Sequence, residues 1–108
     1  MDGNLRKKIL KGKLRPEHVL DLHGLSQVEA HAQVVRHVES CYHHGLRLIL
    51  IITGKGSEEK PSVLKNNIRR FLDSEEISDM IVFLSEAAPH HGGSGAFYVY
   101  LKKNREIR

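Results

Sequence analysis

Leu48-Ile49-Leu50-Ile51-Ile52 is an aliphatic run with no polar interruption, closed at once by Thr53-Gly54-Lys55-Gly56. A strand with one wet face alternates apolar and polar residues. A continuous run instead marks a strand buried on both faces, as in parallel sheets covered by helices. Read from Arg47 to Thr53, it is the strand from which the rest can be placed. Upstream, residues 18–23 alternate, with Leu20 and Leu22 on one face and Asp21 and His23 on the other. Between the two strands, Ser26-Gln27-Val28-Glu29 has the S-x-x-E form of a capping box, and Val28, Val34, Val35, Val38 and Tyr42 recur at helical spacing. This predicts a helix over residues 27–44, stopped by Gly45. Downstream, Pro61 and Ser62 open a second amphipathic helix. Its stripe is Leu64, Ile68, Phe71 and Leu72, with Lys65, Arg69 and Arg70 mostly outside it. Residues 80–84 and 96–101 read as two further strands. The order β-α-β-α-β-β predicts an α/β layer fold with right-handed crossovers.

The whole chain has 108 residues and 40% hydrophobic content, enough for one domain with a modest core. Residues 1–16, which include Arg6, Lys7, Lys8, Lys11, Lys13 and Arg15, read as a basic N-terminal arm or short helix. Residues 17–103 form the domain and 104–108 a tail. No apolar run is long enough to span a bilayer and the N-terminus is not signal-like, so no membrane partner and a cytoplasmic location are expected. The single cysteine, Cys41, excludes an internal disulfide. A net charge of +4 and a pI near 9.4 favour phosphate-bearing partners.

If the first three strands are parallel, the loops that follow them share one edge of the sheet, where open α/β sheets bind ligands. Those loops begin at His23-Gly24-Leu25, at Thr53-Gly54-Lys55-Gly56-Ser57 and at His90-His91-Gly92-Gly93-Ser94-Gly95. Asp21 and His23 then stand together at a strand end, as a carboxylate that orients an imidazole for proton transfer would. They can equally be a structural pair that fixes the strand end. The glycines let backbone N–H groups approach a phosphate and Lys55 adds charge, although a tight turn would need the same glycines. The loop is not a Walker A motif, because Ile49 occupies the position of its first glycine. His37 and Cys41 are spaced i, i+4, but no second Cys or His pair completes a zinc motif, so no metal site is assigned. His43 and His44 suit the negative end of a helix dipole.

Leu20-Asp21-Leu22-His23-Gly24, then Ile52-Thr53-Gly54-Lys55-Gly56, then Ala87-Ala88-Pro89 leading into Gly92-Gly93-Ser94-Gly95-Ala96 resemble, in order and spacing, the motifs of the Smr (small MutS-related) domain family. The resemblance implies a two-layer sandwich of a four-stranded mixed sheet and two helices. It also implies endonuclease activity, as RNA cleavage or DNA nicking, in settings such as ribosome rescue or DNA repair. By that likeness the expected catalytic residues are Asp21 and His23, and the loop reading adds His91 as a candidate second proton-transfer group. The expected phosphate-binding residues are Thr53, Gly54, Lys55, Gly56, Gly92, Gly93 and Gly95. The expected partner is RNA or DNA, with the ribosome a further candidate, and the chain is expected to act as a monomer. No cofactor is required by this reading, and a divalent metal is left open. RNA is the favoured substrate because its 2′-OH is an internal nucleophile that an imidazole can activate. The alternative is a non-catalytic nucleic-acid- or ribosome-binding module.

Overall fold

The computed structural model describes residues 3–106. Its elements, in chain order, are α1 (Gly3–Leu10), β1 (His18–Asp21), α2 (Gln27–His43), β2 (Leu48–Ile52), α3 (Val63–Leu72), β3 (Ile81–Glu86) and β4 (Ala96–Leu101). Short 3-10 turns occupy Ser78–Met80, Pro89–His91 and Gly93–Gly95. The strands form one mixed sheet in the order β1-β2-β4-β3. β1 and β2 are parallel, and β4 runs antiparallel to both β2 and β3. β3 therefore points the same way as β1 and β2. The loops after β1, β2 and β3 accordingly share one sheet edge.

Local chemistry ends the helices where the sequence places the signals. The Ser26 hydroxyl accepts the Glu29 N–H at 3.2 Å and the Ser62 hydroxyl accepts the Lys65 N–H at 3.1 Å, so both long helices begin on serine caps. At the end of α2, Gly45 takes φ +78°, and the Leu46 N–H reaches back to the Cys41 carbonyl in a Schellman turn. α2 and α3 cover one face of the sheet. Val34, Val38, Cys41, Leu64, Ile68 and Phe71 pack there on Leu20, Leu22, Ile49, Ile51, Val99 and Leu101. The continuous apolar run of β2 is explained by what lies on its other face, where Leu48 and Leu50 join Phe83, Tyr98 and Tyr100 in a second cluster.

That second cluster is covered by the basic segment. The stretch expected as an arm or short helix is α1, and its Ile9 is fully buried against the sheet. The two expected helices thus become three, and the two-layer sandwich gains a partial third layer. The cause is an apolar pair, Leu5 and Ile9, at i, i+4 among the lysines, facing aromatic side chains that need cover. Burying a side chain such as Ile9 contributes about 1.5–3 kcal/mol. α1 ends in its own Schellman turn at Gly12, with bonds from Gly12 N–H to the Ile9 carbonyl and from Lys13 N–H to the Lys8 carbonyl. Two strand boundaries also move. β3 begins at Ile81 because Met80 closes a 3-10 turn, and β1 formally ends at Asp21, although the Leu22 N–H still bonds the Ile52 carbonyl at 2.8 Å.

Candidate active site

Leu20 and Leu22 are buried under α2 and α3, so the pleat turns Asp21 and His23 to the α1 side at the carboxyl end of β1. There the His23 ring Nδ1 lies 2.6 Å from Asp21 Oδ1, and the same oxygen accepts the His23 backbone N–H at 3.1 Å. An ionised carboxylate only accepts. The Nδ1 must therefore carry a proton, so that in the neutral imidazole the Nε2 lone pair is directed away from the pair. The side chains of His23 and Asp21 are 72% and 46% exposed, so this nitrogen is open to a solvent-borne ligand. The hydrogen bond from the ring is the main cause that holds the Asp21 carboxyl below the usual carboxylate range. A small desolvation opposes it, and the backbone bond and the charge of His23 assist it.

The glycine loops close on this pair from the β2 and β4 side. An added Cβ at Gly54 would stand 4.0 Å from the His23 Cβ, so the Thr53-Gly54-Lys55-Gly56 loop is a direct neighbour of the imidazole. At Gly95 an added Cβ would fall 2.9 Å from the Lys55 Cγ and 3.2 Å from the Lys55 nitrogen. Glycine is needed there to let two loops, forty residues apart in sequence, touch. The Gly95 carbonyl accepts both the Thr53 N–H, at 2.9 Å, and the Gly54 N–H, at 3.0 Å. Thr53 is itself buried, with its hydroxyl donating to the Gly54 carbonyl at 3.2 Å. These contacts engage the donors of Thr53 and the Gly54 amide in holding the loop together. Lys55 and Gly56 remain exposed at the rim.

His91 lies apart from His23. Gly92 sits over β4, where an added Cβ would meet the Ala96 Cβ at 2.8 Å, and Ala96 pairs with Ile52, which pairs with Asp21. Two inter-strand steps, about 10 Å, separate that position from Asp21 on the same face of the sheet. The ring Nδ1 of His91 is hydrogen-bonded to the Tyr98 hydroxyl. Tyr98 is fully buried and its oxygen also accepts the Ala88 N–H at 3.2 Å. A buried hydroxyl proton needs an acceptor, and Nδ1 provides it, so His91 is neutral with its proton on Nε2. Burial first, and the neighbouring His90 second, push its pKa down in the same sense. In this state the His91 ring presents Nε2–H as a hydrogen-bond donor. The next residue upstream, His90, donates from Nε2 to the Gly12 carbonyl at 2.8 Å and ties this turn to the end of α1.

Beneath the loops, a cleft of 340 Å³ is lined by Gly24, Ser26, Gln27, Thr53, Ser62 and Val63, among others. The N-termini of α2 and α3 converge on it, so two helix dipoles direct their positive ends to the sheet edge that carries the dyad. Sequence reasoning found both caps and missed their convergence, which follows from the two crossovers. It also missed Tyr98, whose only signal is that a phenol within a buried strand must find a polar partner. A larger groove of 540 Å³ lies away from the dyad, on the outer side of α2 beside Val28, Val35 and Glu76. Among the described residues no three His, Cys, Asp or Glu side chains are grouped to hold a metal ion. His37 instead pairs with His18 at 3.0 Å, and Cys41 is a buried thiol whose pKa is pushed up by burial and by Glu17.

The Smr domain model matches residues 20–102, from the strand that carries the dyad to the end of β4. The chain belongs to the Smr domain family. Over 94% of its length it is 33% identical to the probable DNA endonuclease SmrA of Escherichia coli (strain K12), covering 54% of that protein. It is 30% identical to the ribosome rescue factor SmrB of Tolumonas auensis, over 91% of this chain and 52% of the relative. This Smr chain thus spans about half the length of these curated relatives. In solved structures, it resembles YdaL, a stand-alone small MutS-related protein from Escherichia coli, with a TM-score of 0.74 and 32% identity over 95% of this chain and 78% of that one. No helix among the described residues is long and apolar enough to cross a membrane.

Proposed function

We propose that this Smr domain is an endonuclease that cleaves RNA through the 2′-OH, with His23 as general base. The observation that carries the reading is the 2.6 Å bond from the His23 ring to Asp21, which fixes the tautomer with Nε2 unprotonated and outward. In this mechanism Nε2 takes the 2′-OH proton and the 2′-oxygen attacks phosphorus. The 5′-oxygen then leaves and takes a proton from solvent. Asp21 stabilises the imidazolium as it forms. Lys55, the paired helix N-termini and the Nε2–H of His91 supply positive potential where charge grows on the phosphate. The names of the relatives, an endonuclease and a ribosome rescue factor, support nucleic acid as the substrate class and make ribosome-borne RNA a candidate target.

Incubating the purified protein with matched RNA and DNA, with and without a chelator, tests the proposal. Cleavage of RNA should survive chelation and yield a 2′,3′-cyclic phosphate and a 5′-hydroxyl, and a 2′-deoxy substitution at the cut nucleotide should block it. Equal cleavage of the deoxy substrate, or complete arrest by chelator, would replace this mechanism with metal-assisted nicking of DNA. Binding without cleavage of either polymer would favour the non-catalytic module.

A further inference from the structure

Charge is segregated between the two faces of the sheet. Residues 3–16 carry Arg6, Lys7, Lys8, Lys11, Lys13 and Arg15 with no acid, whereas residues 73–79 carry Asp73, Glu75, Glu76 and Asp79 with no base. The basic segment contains α1, on one face, and the acidic one follows α3, on the other. At the sheet edge opposite the dyad, where β2 begins and β4 ends, lies a cleft of 410 Å³. Its charged lining is Arg47, Lys102, Lys103 and Arg105, and among the described residues no carboxylate lines it. Arg47 is held in place, with Nε–H donating to the Leu101 carbonyl at 2.8 Å and the guanidinium lying 4.9 Å from the centre of the Tyr100 ring. Lys102, Lys103 and Arg105 are exposed. The nearby carboxylate of Glu17 is engaged by the backbone N–H groups of Arg47 and Leu48, at 2.8 and 3.1 Å. Among the described residues, the one ion pair within 4.0 Å is that of Asp21 with His23. Like charges gathered around one cleft repel each other, and an incoming polyanion relieves that repulsion.

We propose that this cleft is a second phosphate-binding site for a nucleic-acid strand, joined to the catalytic edge by α1 as one cationic track. The proposal rests on the nucleic-acid reading of the dyad. Leu5, near the start of α1, forms part of the cleft wall. Beyond the other end of the helix, the Gly12 carbonyl accepts from His90 beside the His91 turn. Arg6, Lys7, Lys8 and Lys11 are exposed along the way. The five residues of β2 span about 17 Å, or about five stacked nucleotide steps of 3.4 Å. Tyr100 is buried beneath Arg47 and offers no stacking platform, so the far site grips backbone and reads no sequence.

The test measures affinity against salt for single-stranded DNA of about 20 nucleotides and of about four, the shorter being unable to bridge the two edges. In the triple variant Lys102→Ala, Lys103→Ala, Arg105→Ala, the slope for the long strand should shrink by about two units, from roughly 0.7 per lost phosphate contact. Affinity for the long strand should fall about tenfold or more at moderate salt, while the short strand, which can engage the dyad edge alone, loses far less. The variant Lys102→Arg, Lys103→Arg, Arg105→Lys keeps the charge and should keep the slope. An unchanged long-strand slope in the alanine variant overturns the track. Wild-type protein that shows the steep slope but cuts no RNA overturns the endonuclease reading alone.

Discussion

Two histidines on one face of the sheet are set in opposite states by their partners. His23 leans on a carboxylate that can only accept, so its proton sits on Nδ1 and Nε2 is a base. His91 leans on a buried phenol whose proton has one place to go, so its proton sits on Nε2 and the ring is a donor. The first histidine is open to solvent and the second is half-buried. The contrast teaches that the role of a histidine here follows from the group behind it rather than from its place in a loop. A base and a donor, about two strand spacings apart, can face one phosphate from two sides.

The comparison breaks most sharply at its first member. His23→Ala should lower RNA cleavage by about 10²–10⁴-fold with the fold intact. Asp21→Asn should approach that loss, because an amide can present its N–H to Nδ1 and invert the tautomer. Single-turnover rates check both, and wild-type turnover in either variant removes the dyad from the mechanism.

At the second member, Tyr98→Phe leaves the buried Ala88 N–H without its acceptor and frees His91 Nδ1. We expect a loss of about 1–3 kcal/mol in unfolding free energy. Cleavage should fall far less than in the His23 variant, and NMR of the ring nitrogens should show His91 no longer held as the Nε2–H tautomer. Retention of that tautomer would mean that Tyr98 does not set it.

A smaller effect sharpens the contrast through pH. The pKa of His91 is lowered chiefly by burial, and so is that of His37, which also feels His18 and Arg36. The unfolded chain binds these protons near the ordinary value of 6.5, whereas the folded chain resists them. Their contribution to stability is therefore complete above that value and is lost as pH falls through the lowered folded values. Melting temperature should decline on acidification below pH 6.5, and His37→Gln or His91→Gln should flatten the decline. Asp21, whose pKa is also lowered, adds a contribution that disappears only in more acidic solution. A melting temperature flat from neutral pH to below 6.5 would contradict these assignments.

The mildest change is Lys55→Ala. It should leave stability unaltered and reduce the salt slope of nucleic-acid binding by roughly one unit, since one exposed cation at the loop rim is removed. An unchanged slope would place the phosphate elsewhere along the edge.

The amino-acid sequence by itself determined the parts that depend on near neighbours. Period-two alternation placed Asp21 and His23 on one face, capping serines opened α2 and α3, Gly45 stopped α2, and the aliphatic run of β2 announced a strand covered on both sides. What covers the second side was decided only in three dimensions. Leu5 and Ile9 among six cations read as part of a basic arm or short helix, and only Phe83, Tyr98 and Tyr100 give them a surface to bury. The same holds for the loop amides of Thr53 and Gly54, which a glycine motif alone offers to a phosphate and the distant Gly95 carbonyl takes. It holds too for His91, whose proton is placed by a tyrosine seven residues on across a turn. Propensity and periodicity act over a few residues along the chain. Hydrogen-bond donors and apolar faces are satisfied by whatever the fold brings near, so their final partners belong to the tertiary structure.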